Sequence, residues 1–286
     1  MKVRRHLGRA ANRALKTLNL EISPIALDFD ARLLSPKHVD RFVESLSTAL
    51  ESWLESQSTW PASHPFDAKS TVVEFCHDYL KSPFRNPKGG SRFGNLLWLT
   101  ALAKLAKPDV IVDSGTYTGA SAWALSRGAP NARTLSFDID LSRLVMRVPG
   151  VTYIEADWTT LPRETFASGK VMAYFDDHLD QGRRLREAHD RGIPLTVFDD
   201  DYSVLNFAGM AHGGAALPKI SFILDETLTD REVIEWAVGT EKFRWTVDKS
   251  RLDGLRQLIA RSERLPNIAA DIGFEQLPYR IVQIAH

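Results

Sequence analysis

Two short runs of aspartate carry the most overt chemistry in this sequence. The first is Phe175-Asp176-Asp177-His178-Leu179-Asp180, and the second is Phe198-Asp199-Asp200-Asp201-Tyr202. Carboxylates brought close together repel unless a cation or shared protons neutralise them. Oxygen-rich groups suit hard divalent ions such as Mg²⁺, Ca²⁺ or Mn²⁺, and the scarcity of histidine (His178 alone in these runs) argues against iron. A third group lies upstream, in Val110-Ile111-Val112-Asp113-Ser114-Gly115-Thr116-Tyr117-Thr118-Gly119-Ala120-Ser121-Ala122-Trp123-Ala124-Leu125. β-Branched residues ahead of an acid predict a buried strand, the two glycines a turn, and Ala120–Leu125 a helix. Strand, glycine turn and helix is how an α/β sheet presents backbone N–H groups and a helix N-terminus to a ligand. The spacing is D-x-G-x-x-x-G, unlike the G-x-G-x-x-G of nicotinamide enzymes, and taken alone it fits a plain turn equally well.

The elements that would position these groups alternate after residue 110. Strands are expected at 134–138, 151–157, 171–175 and 195–198, with a helix over Gln181–Arg191. That alternation argues for a mostly parallel sheet with right-handed crossovers, whose strand carboxyl ends form the ligand edge. Each candidate acid falls at such an end. Upstream, apolar periodicity predicts helices over 37–58, 67–80 and 94–107. Pro83, Pro87 and Gly89-Gly90 mark a boundary, dividing residues 1–90, an N-terminal helical extension, from a domain over 91–286. Downstream, Arg231–Val238 and Leu252–Ser262 are expected to be helical and Gln276–Ile284 to form the last strand.

The segment Asp-Ser-Gly-Thr-Tyr-Thr-Gly-Ala-Ser-Ala at 113–122 resembles the first motif of class I S-adenosylmethionine-dependent methyltransferases. The likeness is greatest to small-molecule O-methyltransferases of the catechol and caffeoyl-CoA type. It covers roughly residues 95–205. It implies a Rossmann-like α/β fold: a mostly parallel seven-stranded sheet with helices on both faces. It further implies cofactor contacts at Asp113, Gly115, Thr116, Gly119 and Ser121, with Asp138 accepting the ribose hydroxyls and Asp176 close by. Asp140 is the alternative to Asp138, or else the start of a helix. Asp157 could accept the adenine amino group while Trp158 covers the ring; otherwise Asp157 caps a helix and Trp158 belongs to the core.

By the pattern of the metal-dependent members, Asp177, Asp200 and Asp201 fall on the ligand positions for Mg²⁺ or Mn²⁺. The sequence departs from that pattern at two places. Asp180 stands where the family has its catalytic lysine, and an aspartate replaces the ligand asparagine. The catalytic group would then come from Asp177 with His178 or Asp180, or the site holds no metal. Asp180 could instead cap the following helix. The implied reaction is methyl transfer from S-adenosylmethionine to an oxygen of a small molecule or glycan. The alternatives are a non-methylating cofactor-binding or scaffold protein and a carboxylate-metal enzyme of other chemistry. His212, in the loop Asn206–Pro218, is a further candidate base or a solvated loop residue. The Arg85–Phe93 loop could close over an acidic group or be a surface turn.

Bulk properties narrow the partners. The 286 residues carry 36 Lys+Arg against 36 Asp+Glu, so no global charge favours nucleic acid. A single cysteine, Cys76, allows no internal disulfide and reads as a buried thiol, consistent with a cytoplasmic location. No apolar run approaches the ~18 residues of a membrane span. Residues 2–16 are basic, free of acids and of near-helical apolar spacing. They are expected to pack on the body, the alternatives being a peripheral contact with anionic membrane or a transit peptide. A homodimer is compatible with this composition.

Overall fold

The computed structural model describes residues 35–62, 65–85, 90–167, 169–207, 216–238, 240–268, 273 and 276–286. The basic segment 2–16, His212 with most of its loop, and residues 86–89 lie outside them.

Helix α1 (Pro36–Ser56) turns Val43, Leu46, Leu50 and Trp53 inward at intervals of three and four residues. Helix α2 (Ala68–Lys81) starts where the Asp67 carboxylate accepts the Ser70 N–H at 2.8 Å. Helix α3 (Phe93–Ala106) is apolar all round, with buried residues on every face. It lies between α1, α2 and the sheet, and belongs to the same core cluster as Leu46, Trp53, Phe75 and Tyr79.

The main sheet has seven strands in the order β3-β2-β1-β4-β5-β9-β8. They are β1 (Val110–Ser114), β2 (Arg133–Asp138), β3 (Val151–Glu155), β4 (Val171–Phe175), β5 (Leu195–Phe198), β8 (Ile259–Arg264) and β9 (Arg280–Ile284). The first five pair in parallel; β9 runs antiparallel to both β5 and β8. Side chains of β1 and β4 alternate between two cores. Ile111, Met172 and Tyr174 join the cluster under α1–α3, whereas Val110, Val112, Val171, Ala173 and Phe175 join the opposite one. This burial on both faces explains why the strands read as continuous apolar runs. Helix α4 (Ala120–Gly128) packs on the first face. The second is covered by α5 (Gln181–Asp190), α6 (Ile220–Leu224) and α7 (Lys249–Arg256).

Three expectations are corrected. Residues 231–238 are not a helix: β6 (Val233–Val238) forms a hairpin with β7 (Glu241–Thr246). Its true period is two, with Trp236 buried and stacked on Phe243 at 5.4 Å while Val233 and Glu235 face out. The helix expected to reach Ser262 stops at Arg256, because Ile259–Arg264 is taken up by pairing with β9 at the sheet edge. Cross-strand pairing overrides a sequence with little strand character of its own. The last strand begins at Arg280, not Gln276, since Gln276 and Leu277 are tied instead to Pro266, Ile268 and Asn95. Among the described residues no helix is long and apolar enough to cross a membrane.

Candidate active site

A cavity of about 640 Å³ opens over the carboxyl ends of β1, β2, β4 and β5. Gly115, Asp138, Asp157, Asp176, Asp177, His178 and Asp200 line it. The β1 turn is held from within rather than by what it binds. The N–H groups of Gly115 and Thr116 both donate to Phe137 O, at 2.9 and 3.1 Å, and that of Gly119 donates to Thr116 O at 2.8 Å. The Tyr117 N–H donates to Asp138 Oδ2 at 2.8 Å. These four N–H groups are spent on the turn itself. Gly115 has φ +102°, and a Cβ there would stand 2.3 Å from Asp176 O. Only glycine lets the β1 and β4 turns approach this closely.

Asp113, Thr116, Gly119, Ser121 and Trp158 do not line the cavity, contrary to the contacts that the motif implied. Asp113 is fully buried, and its Oδ2 accepts from Ser136 Oγ at 2.5 Å; Thr116 Oγ1 lies 2.6 Å from Ser136 Oγ. This chain locks the turn onto β2. Burial pushes the Asp113 carboxyl up to about 7, with the Ser136 and Ser121 hydroxyls acting in the opposite direction. Gly119 is the N-cap of α4 at φ +90°, and Ser121 is buried in that helix's first turn. Trp158 lies wholly in the core, against Phe166 and Phe175 and beneath the Arg191 guanidinium. It therefore cannot cover a ring in the cavity.

Asp138 faces the cavity. Its two oxygens accept the Tyr117 and Asp140 N–H groups, at 2.8 and 3.1 Å, and a carboxylate so held still has lone pairs for two hydroxyls. Asp140 caps the short turn that follows, accepting from Ser142 N. Asp157 caps its own turn through Thr159 and pairs with Arg184 at 2.7 Å. Burial raises its carboxyl, but the Arg184 and Thr159 hydrogen bonds outweigh this and hold it well below the usual carboxylate range.

The aspartates gather as expected, though in a different grouping. Asp177 is bound by Arg184 Nε and Ser114 Oγ, at 2.7 and 2.6 Å. Asp201 is completely buried and paired through Oδ2 with Arg280 at 2.5 Å, with the Ser221 hydroxyl donating to the same oxygen and the Ser221 N–H to Oδ1, both at 2.7 Å. Asp180 caps α5 and pairs with Arg251. Arginines thus match Asp177, Asp180 and Asp201, and the expected metal set Asp177/Asp200/Asp201 does not converge on one point. The residues that do converge are Asp176, His178 and Asp200. One ligand atom from each lies within 4.8 Å of the others, and His178 Nε2 is 3.6 Å from both carboxylates. One oxygen-preferring divalent ion fits that donor set.

Asp199, directly behind, is not among the site residues that the sequence points to. It is buried, accepts the Asp200 N–H at 2.6 Å and the Tyr174 hydroxyl at 3.0 Å. Tyr174 in turn meets Tyr279 at 2.7 Å, and Ser91 lies 3.2 Å from both hydroxyls. Burial raises both Asp176 and Asp199 well above the usual carboxylate range; repulsion from Asp199 and Asp200 adds to it at Asp176 and from Asp200 at Asp199, on which the Asp176 hydrogen bond acts in the opposite direction. A proton shared between them relieves that repulsion. Tyr117, His178 and Asp200 also hold positive φ, at 44°, 56° and 54°, an unfavourable backbone for residues with side chains and one that concentrates at functional sites. No run of sequence betrays that strain.

The strand order, the antiparallel β9 and the cavity over the β1–β2–β4–β5 edge decide the architecture. The fold is Rossmann-like α/β, a mostly parallel seven-stranded sheet with helices on both faces. No protein-family model matches the sequence, and no curated protein matches it either. Solved structures to which the chain is similar include the SAH-bound methyltransferase PaMTH1 of Podospora anserina, at 15% identity, 93% of this chain, 100% of that chain and a TM-score of 0.39. Another is the O-methyltransferase from Bacillus cereus in complex with SAH, at 14% identity, 85% and 100% coverage and a TM-score of 0.41. A third is the O-methyltransferase TomG from Streptomyces achromogenes in complex with SAM, at 15%, 83% and 96%, and 0.40.

Proposed function

We propose that this protein transfers a methyl group from S-adenosylmethionine to an oxygen of a small-molecule or glycan acceptor. The observation that carries the reading is Asp138. Its carboxylate is oriented by two backbone N–H groups beside the Gly115 turn, in a cavity that runs from there to the Asp176/His178/Asp200 cluster. In this reading Asp138 accepts the ribose hydroxyls. Gly115 leaves room for the methionine portion, and the exposed apolar side chains of Tyr117, Ile139 and Leu179 form the rim.

Methyl transfer requires the acceptor oxygen, methyl carbon and sulfur in line and the hydroxyl proton removed. His178 reaches the cavity between two carboxylates and takes that proton as the oxygen attacks; Asp176 and Asp200 stabilise the imidazolium that results. In the alternative with a metal, Asp176, His178 and Asp200 would hold Mg²⁺ or Mn²⁺, which supplies a lowered hydroxyl pKa when bound, and His178 would then be a ligand and not the base. Asp177, paired with Arg184, positions the β4 turn.

Calorimetry tests the cofactor part. S-Adenosylmethionine should bind, and Asp138→Ala should weaken it by ~1.5–3 kcal/mol, the worth of hydrogen bonds to a charged acceptor. No heat of binding at millimolar cofactor removes the reading.

A further inference from the structure

Lys219 is 1% exposed, and the mechanism above makes no use of it. Its neighbours in the chain are pinned to the site on both sides, beginning with Pro218 O, which accepts the Gln181 N–H at 3.1 Å. The neighbouring Ile220 N–H donates to Gln181 Oε1 at 2.8 Å, Gln181 Nε2 donates to Asp199 O at 2.5 Å, and Ser221 N–H donates to Asp201 Oδ1 at 2.7 Å. The lysine side chain lines a second, small cavity of about 10 Å³, together with Asp176, Asp199, Asp200 and His178. That is room for about one water molecule, far too little for an acceptor. A buried ammonium is tolerated only beside compensating charge. Here Asp177 and Asp201 are already matched by Arg184 and Arg280, which leaves Asp176, Asp199 and Asp200 as the acids sharing the small cavity with Lys219 and with His178, whose Nε2 is 3.6 Å from Asp176 and Asp200. Burial lowers the lysine's proton affinity, and Asp200, Asp199, Asp201 and Asp176 resist that loss.

We propose that Lys219 is the internal counter-ion of the Asp176/Asp199/Asp200 cluster, competing with any divalent cation held there and keeping its binding weak and exchangeable. A fixed positive charge behind the carboxylates repels a second cation in front of them. The same charge keeps the acids together when no ion is bound. The inference rests on the methyl-transfer reading only for placing an acceptor hydroxyl at this cluster; the ion competition itself does not depend on it.

The test is a Mn²⁺ titration of the full chain, followed by the paramagnetic resonance of free Mn²⁺. Lys219→Met should bind Mn²⁺ at least about tenfold more tightly than the unaltered protein. Lys219→Arg, which keeps the charge, should stay near the original affinity. Adding Asp200→Asn to Lys219→Met should erase the gain and so locate the ion. Unchanged or weaker binding by folded Lys219→Met, or equal tightening by Lys219→Arg, overturns the proposal. If Lys219→Met is unfolded alone, millimolar Mn²⁺ should restore a cooperative melting transition, and failure to do so also overturns it. Cofactor calorimetry on the same proteins keeps the two readings apart. Absent cofactor binding defeats methyl transfer and leaves the Mn²⁺ comparison standing.

Discussion

Replacing Asp113 by asparagine isolates the charge that the fold buries beneath the β1 turn. The carboxyl moves from an ordinary 3.8 to about 7, with burial the largest cause. A shift of about 3 units corresponds to roughly 4 kcal/mol of difference between the two protonation states. Since the folded pKa is raised, the folded chain holds the proton more tightly than the unfolded one between pH 3.8 and about 7. Stability therefore falls as pH rises through that window, and the whole penalty is in place above it. Between pH 5 and pH 8 this one group should remove about 2–3 kcal/mol. The asparagine of Asp113→Asn would keep an oxygen for the Ser136 hydroxyl and lose the titration. Urea unfolding of both proteins at pH 5 and pH 8 measures the effect as a difference of differences. The raised Asp176 and Asp199 carboxyls titrate in both proteins and so cancel. The variant should lose about 2–3 kcal/mol less than the unaltered chain over that interval. Parallel pH dependences would refute the argument, showing that water or rearrangement solvates the Asp113 charge.

Two further outcomes follow from the packing of the site. Arg184→Met strips a 2%-exposed cation from Asp157, Asp177 and Glu187; thermal or urea unfolding should show a loss of about 3 kcal/mol, the low end for a broken buried pair because the carboxylates can partly rehydrate. A loss under ~0.5 kcal/mol would mean the three acids find solvent without it. Gly115→Ala forces a Cβ to 2.3 Å from Asp176 O at φ +102°; it should cost roughly 2–5 kcal/mol and abolish cofactor binding by calorimetry, whereas retained binding would show that the β1 and β4 turns can part.

What the sequence determined by itself was the frame. The apolar runs of β1, β4 and β5 are buried on both faces, so they carried an unmistakable signal, and the acids at their ends had to fall on one edge. Asp138 could be placed in the same way, as the last residue of β2, and Asp157 follows the end of β3 by two residues. Tertiary structure decided which acids remain available. Asp177, Asp180 and Asp201 look equivalent to Asp176 and Asp200 along the chain, yet Arg184 turns back onto Asp177 from the helix that follows, and Arg251 and Arg280 arrive from distant segments to bind Asp180 and Asp201. Trp158 followed Asp157 into the right turn, but the side of the sheet its ring packs on was set by Phe166, Phe175 and Arg191. Lys219 carried no local signal, because its role exists only where the start of α6 docks against the carboxyl ends of β4 and β5. The β8 edge escaped for the same reason: a polar segment becomes a strand when β9 presents unpaired N–H and C=O groups to it, and pairing of that kind leaves no periodicity in the sequence.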